Sequence, residues 1–136
     1  MKILLTGSNG MVGQNIINNL QSKNYEILTP SSNELDLLMQ DEVDLYLKKN
    51  KPEFIIHAAG IVGGIEANIQ RPLKFLIDNS KIGLNLINLS LNNNIDNFLN
   101  LGSSCMYPKD AKNPLIESSI LDGKLEPTNE GYALAK

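Results

Sequence analysis

Cysteine occurs once in this chain, at position 105, and arginine once, at position 71. A lone cysteine excludes an internal disulfide, which suits a reducing, cytoplasmic setting. A lone arginine leaves no basic cluster of the kind that grips nucleic acid, and a formal net charge of −3 adds no pull toward nucleic acid or an anionic membrane. No apolar run approaches the roughly 18 residues that span a bilayer. The first run, KILLT, is stopped at once by a glycine. Internal repeats and low-complexity linkers are missing too. What remains is 136 residues, 42% hydrophobic and 20% charged, the composition of one soluble globular domain or part of a larger one.

The chain alternates short apolar runs with longer helical patterns. Strands are expected at 2–6, 25–29, 53–59 and 97–102. A helix over 11–23 places Met11, Val12, Ile16, Ile17 and Leu20 on one face. A helix over about 39–50 turns Val43, Leu45 and Leu47 inward, with Pro52 beyond its end. The longest pattern, 72–93, starts on Pro72 and repeats Leu73, Leu76, Ile77, Leu84, Ile87 and Leu91 at helical spacing. Residues 103–129 read as loop, and a last helix begins near Glu130, capped by Thr128 or Asn129. Strand and helix in alternation mean crossover connections: an α/β fold with a Rossmann-like, doubly wound parallel sheet. Ligands of such sheets lie at the carboxyl ends of the strands. The asparagine-rich stretches at 15–19 and 92–94 read as solvated faces.

After the first strand stands Gly7-Ser8-Asn9-Gly10-Met11-Val12-Gly13. Glycines there allow a tight turn and close approach to a pyrophosphate, and the helix that follows offers free N–H groups. The spacing is G-x-x-G-x-x-G, between strand and helix, and it favours a dinucleotide over an ordinary turn. Neither an acid nor an arginine closes the second strand; Thr29, Pro30, Ser31 and Ser32 do, and the serines read first as turn formers. Asp36, followed by Leu37, is either a contact to the adenine edge or a solvated acid or cap. His57-Ala58-Ala59-Gly60 follows the third strand, with the histidine either lining the cofactor side or packed.

Tyr132 and Lys136 are four apart, and on a helix they share a face. An ammonium beside a phenol favours phenolate, which readies the tyrosine for proton exchange with an alcohol or sugar oxygen. Gly102-Ser103-Ser104-Cys105-Met106-Tyr107-Pro108 follows the fourth strand, where a serine can hold a carbonyl oxygen. Cys105 is either a small packed hydrophobe or a proton carrier.

The glycine triplet, His57-Ala58-Ala59-Gly60, Ser103 and the Tyr132/Lys136 pair resemble the extended short-chain dehydrogenase/reductases. Val62-Gly63-Gly64-Ile65, the Gly102–Lys109 run and Leu125-Glu126-Pro127-Thr128-Asn129-Glu130, with Tyr132-Ala133-Leu134-Ala135-Lys136, resemble, within them, the GDP-L-fucose synthase family. The resemblance runs the whole length. It implies an NADP(H)-dependent enzyme, with NAD(H) as the alternative cofactor, acting on a nucleotide-linked 4-keto sugar: epimerisation at C3 and C5, then reduction at C4. It implies that Ser103 holds the C4 oxygen, Tyr132 protonates it, Lys136 lowers the tyrosine pKa and bonds the nicotinamide ribose, and Cys105 shuttles a proton. It implies cofactor contacts from Gly7, Ser8, Asn9, Gly10, Met11, Val12, Gly13, Asp36, Leu37, Ala58, Ala59 and Gly60, and sugar contacts from Val62, Gly63, Gly64 and Ser104. No metal site is assigned. Residues 1–136 are then an incomplete Rossmann domain, with the substrate domain and the family's epimerisation histidine beyond it. Inactivity of this piece alone and a homodimer of the whole are expected. The family's arginines for the 2′-phosphate are replaced by Ser8-Asn9 and Ser31-Ser32. Another nucleotide-sugar epimerase or dehydratase, or a non-catalytic nucleotide-binding module, are the competing readings.

Overall fold

The computed structural model describes residues 1–20 and 23–136. Residues 21 and 22, inside the expected first helix, lie outside the described residues. Contacts divide the chain into two compact units, Met1–Gly60 with Leu84–Leu101, and Ile61–Gly83 with Gly102–Lys136.

The first unit is a parallel sheet with helices. Its strands are β1 (Lys2–Thr6), β2 (Glu26–Leu28), β3 (Phe54–His57) and β4 (Phe98–Asn100). They stand in the order β2-β1-β3-β4, all parallel. The chain order therefore reverses between β1 and β3, where Thr6 faces His57 at the strand ends. That reversal is where ligands bind in open α/β sheets. Ile3, Leu4, Leu5, Ile55 and Ile56 are buried, the run of apolar residues on both faces that a covered parallel strand requires. Each buried aliphatic side chain contributes about 1.5–3 kcal/mol.

Two helices are wholly within this unit, α1 (Met11–Leu20) and α2 (Gln40–Asn50). Ile16, Ile17 and Leu20 pack on the sheet, as the spacing predicts. In α2, Val43 and Leu47 are buried, but Leu45 is 69% exposed, against expectation. Two residues along a helix is about 200° of rotation, so Leu45 cannot share the face of Val43 and Leu47. The helix ends at Lys51, whose left-handed backbone lets its N–H return to the Leu47 carbonyl at 2.8 Å.

The long helix α4 (Pro72–Asn92) gives Pro72–Gly83 to the second unit and Leu84–Asn92 to the first. Its expected inward stripe is a second finding against the sequence reading. Leu73, Ile77, Leu84, Ile87 and Leu91 are exposed, while Phe75, Ile82, Leu86 and Leu89 are buried. Asn79 and Ser90 lie on the buried side as well, bonded to the Phe75 and Leu86 carbonyls. The helix is apolar on two faces, and those buried polar residues disguised the one that packs.

The second unit also holds α3 (Ile65–Gln70), a turn of 3₁₀ helix at Ser104–Met106 and α5 (Glu130–Leu134), which packs on that turn. Leu125 and Ala133 are buried here. Among the described residues no helix is long and apolar enough to cross a membrane.

Candidate active site

The glycine turn sits at the reversal of strand order. Gly7 adopts φ +72°, and a Cβ there would come within 2.6 Å of the peptide joining Ala58 to Ala59. Only glycine fits such an approach. A Cβ on Gly13 would meet the Gly7 carbonyl oxygen at 2.3 Å, so the start of α1 lies directly on the turn. The Gly10 N–H closes the turn onto the Gly7 carbonyl at 3.0 Å. Gln14, which the sequence reading passed over, pins it further by donating from Nε2 to the Ser8 carbonyl at 2.9 Å. Asn9, Gly10, Met11 and Val12 are exposed, and the first turn of α1 carries no acid. A first helical turn has N–H groups without intrahelical partners and a partial positive charge, so this cradle fits the pyrophosphate of a dinucleotide.

The residues flanking this turn have mixed roles. The Ser8 side chain is buried, its hydroxyl donating to the Thr29 carbonyl at 3.5 Å. Thr6 and His57 share a buried hydrogen bond of 2.7 Å, and the His57 ring lies against Phe98, so the histidine is packed. Ser31 donates from its N–H and hydroxyl to the Glu34 carboxylate, each at 2.8 Å, which is turn formation. Asp36 closes a local turn by accepting from the Leu38 N–H at 2.9 Å. Leu37 is buried in the core, its carbonyl accepting from Asn85.

In the second unit the Val62-Gly63-Gly64 loop is exposed and held from behind by two asparagines. Asn79 accepts from the Ile61 N–H at 2.8 Å and donates to the Ile61 carbonyl at 3.0 Å. Asn68 donates to the Gly63 and Gly64 carbonyls at 3.0 and 3.1 Å. A Cβ on Gly63 would meet the Phe75 ring at 2.9 Å. Neither asparagine was singled out from the sequence: the Asn79 partner lies 18 residues away, and the Asn68 bonds, four and five residues long, belong to no spacing that marks a cap or a turn.

Ser103, Cys105 and Tyr132 come together in this unit. The 3₁₀ turn begins at Ser103, whose hydroxyl accepts from the Cys105 N–H at 3.3 Å. Gly131 lets α5 approach closely: a Cβ there would lie 2.5 Å from the Pro72 carbonyl oxygen. The phenol of Tyr132 is held above its ordinary value by burial and by the nearby Cys105, against a hydrogen bond with Ser103 that pulls it down. This corrects the expectation that Lys136 lowers it. Burial instead pushes the Lys136 ammonium below its own ordinary value. Lys136 follows α5, with its N–H on the Ala133 carbonyl at 3.4 Å. Ser104 is exposed beside Cys105. Asn129 is at the N-cap of α5 as expected, but its side chain makes no cap bond. Its Nδ2 donates to the Cys105 sulfur at 3.2 Å. The arrangement offers a hydroxyl, a protonated phenol and a thiol within one cluster, a set suited to moving protons at a carbonyl and its neighbouring carbons.

Comparisons with known proteins place the chain in a family. A family model described as "NAD dependent epimerase/dehydratase family" matches residues 3–136. The GDP-L-colitose synthase of Yersinia pseudotuberculosis is 62% identical over 136 residues, covering 100% of this chain and 44% of that protein. The GDP-L-fucose synthase of Azorhizobium caulinodans is 47% identical over 135 residues, covering 99% of this chain and 43% of that protein. Among solved structures, the GDP-mannoheptose C4 reductase of Campylobacter jejuni, with NADP bound, superposes with a TM-score of 0.92 at 34% identity, covering 99% of this chain and 43% of that one. The chain thus spans less than half the length of the curated relatives it matches.

Proposed function

The chain belongs to the NAD dependent epimerase/dehydratase family, and on that premise we propose that residues 1–136 are the cofactor-binding domain of an NADPH-dependent GDP-sugar epimerase/reductase. The reaction is conversion of GDP-4-keto-6-deoxy-D-mannose to GDP-L-fucose. The observation that carries this is the gathering of Ser103, Cys105 and Tyr132. Likeness to a GDP-L-fucose synthase and to a GDP-sugar C4 reductase with NADP bound supports the substrate class and the cofactor.

The Gly7–Gly13 turn holds the pyrophosphate through backbone N–H groups, and Ala58, Ala59 and Gly60 border it. The cofactor supplies the hydride for C4. Ser103 hydrogen-bonds the C4 oxygen and Tyr132 protonates it. A phenol held above its ordinary value carries its proton at neutral pH, ready to be passed to the developing C4 alkoxide, which is the stronger base. Lys136 bonds the nicotinamide ribose. Cys105 exchanges protons with the carbons beside the ketone, which the carbonyl makes acidic. Val62, Gly63, Gly64 and Ser104 border the sugar.

The greater identity to a GDP-L-colitose synthase, 62% against 47%, favours a second reading. Colitose lacks the C3 hydroxyl of fucose, so only C5 would be inverted. The intact protein, given each 4-keto sugar with and without the C3 hydroxyl, decides between them by NADPH oxidation and product stereochemistry. Tyr132→Phe should slow C4 reduction by about 10²–10⁴ with either sugar. Undiminished reduction in that variant removes the assignment.

We also propose a cytoplasmic homodimer. The free thiol of Cys105 suits a reducing compartment. Leu84, Ile87 and Leu91 repeat along one exposed face of α4, the pattern of a helix covered by another.

A further inference from the structure

Asparagine at a helix N-cap ordinarily turns its side-chain oxygen onto the free N–H groups of the first turn. Asn129 occupies that position on α5 and makes no such bond. Its Oδ1 is buried with no hydrogen-bond partner among the described residues. Its Nδ2 reaches instead to the Cys105 sulfur, 3.2 Å away and 24 residues earlier in the chain, so no local turn imposes the contact. Both residues line a cavity of about 420 Å³ that Tyr107, Lys109 and Glu126 also border. A side chain that leaves a cap unmade and a carbonyl oxygen unsatisfied in order to reach a sulfur breaks a local rule, and such breaks gather at functional sites.

We infer that Asn129 is a positioning residue for Cys105, aiming the sulfur at the sugar carbon whose proton it exchanges. The inference rests on the epimerase/reductase reading above. An amide N–H holds one sulfur lone pair and so fixes where the others point, and the bond is strongest while the sulfur is the thiolate. Cys105 acts as the thiolate, its own proton given up to water. A lone pair other than the one the amide holds takes the proton from the carbon beside the ketone, the sulfur becomes the neutral thiol, and the electron pair left behind is drawn onto the C4 oxygen. Asn129 touches neither sugar nor cofactor in this account; it acts through the thiol.

The test is Asn129→Ser in the intact protein with NADPH bound. Serine is a good N-cap and does not reach the sulfur, so thermal stability should be kept or raised. Deuterium exchange into the sugar from heavy water, divided by the rate of C4 reduction, should fall by about tenfold or more, the change expected from losing one hydrogen bond to a charged group. Alkylation of Cys105 by iodoacetamide, followed on its own peptide by mass spectrometry, should slow by about threefold or more, a smaller change because a thiolate without its donor is rarer but more nucleophilic. An unchanged alkylation rate overturns the inference, as does an equal fall in exchange and reduction. If the unsubstituted protein exchanges no deuterium, the epimerase reading is what fails, and the alkylation rate alone decides whether Asn129 governs the thiol. Should the serine variant lose stability, Asn129→Asp, which keeps the shape without the donor, is read by the same two ratios.

Discussion

The peptide between Ala58 and Ala59 passes so near Gly7 that a single added carbon on Gly7 would come within 2.6 Å of it. Two strand ends are thereby closed on one another at the reversal of strand order, leaving the first turn of α1 open to a ligand. Gly7→Ala should cost about 2–4 kcal/mol, from a left-handed backbone without glycine and from overpacking. Urea unfolding measures the loss, and a loss below about 1 kcal/mol would contradict the geometry.

Asn79→Leu keeps the branching and heavy-atom count of a buried side chain and removes its bonds to the Ile61 N–H, the Ile61 carbonyl and the Phe75 carbonyl. A destabilisation of about 2–3 kcal/mol follows from leaving partly buried partners unpaired. Amide hydrogen exchange at Ile61 should rise more than exchange in β1, since Asn79 is the group that shields it.

Tyr132 gives a pH prediction with a definite sign. Its folded value is raised by burial and by Cys105. Between the ordinary tyrosine value, about 10, and that raised value, the folded protein keeps a proton that the unfolded chain has released. The residue's contribution to stability is therefore constant below about pH 10 and declines as the pH climbs beyond it. The difference in absorbance at 295 nm between the unsubstituted protein and Tyr132→Phe, followed against pH, should show a midpoint above 10. A midpoint below 10 would restore the lysine-lowered tyrosine that the sequence suggested.

Paired substitution of Leu84 and Leu91 by Glu tests the dimer. Both side chains are exposed, so the folded monomer should lose no more than about 0.5 kcal/mol. Sedimentation should show the mass fall to that of one chain. A dimer that persists places the subunit contact elsewhere.

The sheet, the glycine turn and the Ser103/Tyr132 cluster were legible because each has a local mark: an apolar run, a glycine triplet, a serine after a strand. Helix faces were less so. Val43 and Leu47 alone fit a helical period, yet Leu45 looked equally apolar. The two apolar faces of α4 could not be ranked from sequence, since Asn79 and Ser90 made the buried one look polar. Asn79 escaped notice because its partner Ile61 lies 18 residues away, and Gln14 and Asn68 because a side-chain amide reaching back four to six residues looks in sequence like any solvated polar residue of a helix. Asn129 was read as a cap, the role its position favours, and the competing sulfur lies 24 residues away. The Tyr132 phenol was assigned the wrong direction because sequence reveals a neighbouring charge more readily than it reveals burial.

The hold on the Val62-Gly63-Gly64 loop comes from carboxamides, Asn68 and Asn79, with no ionisable group in either clamp. Carboxamides neither gain nor lose a proton in the range where proteins stay folded, and counter-ions do not compete for them. The loop's backbone therefore keeps one shape through changes of acidity and ionic strength that would loosen a latch built on opposite charges.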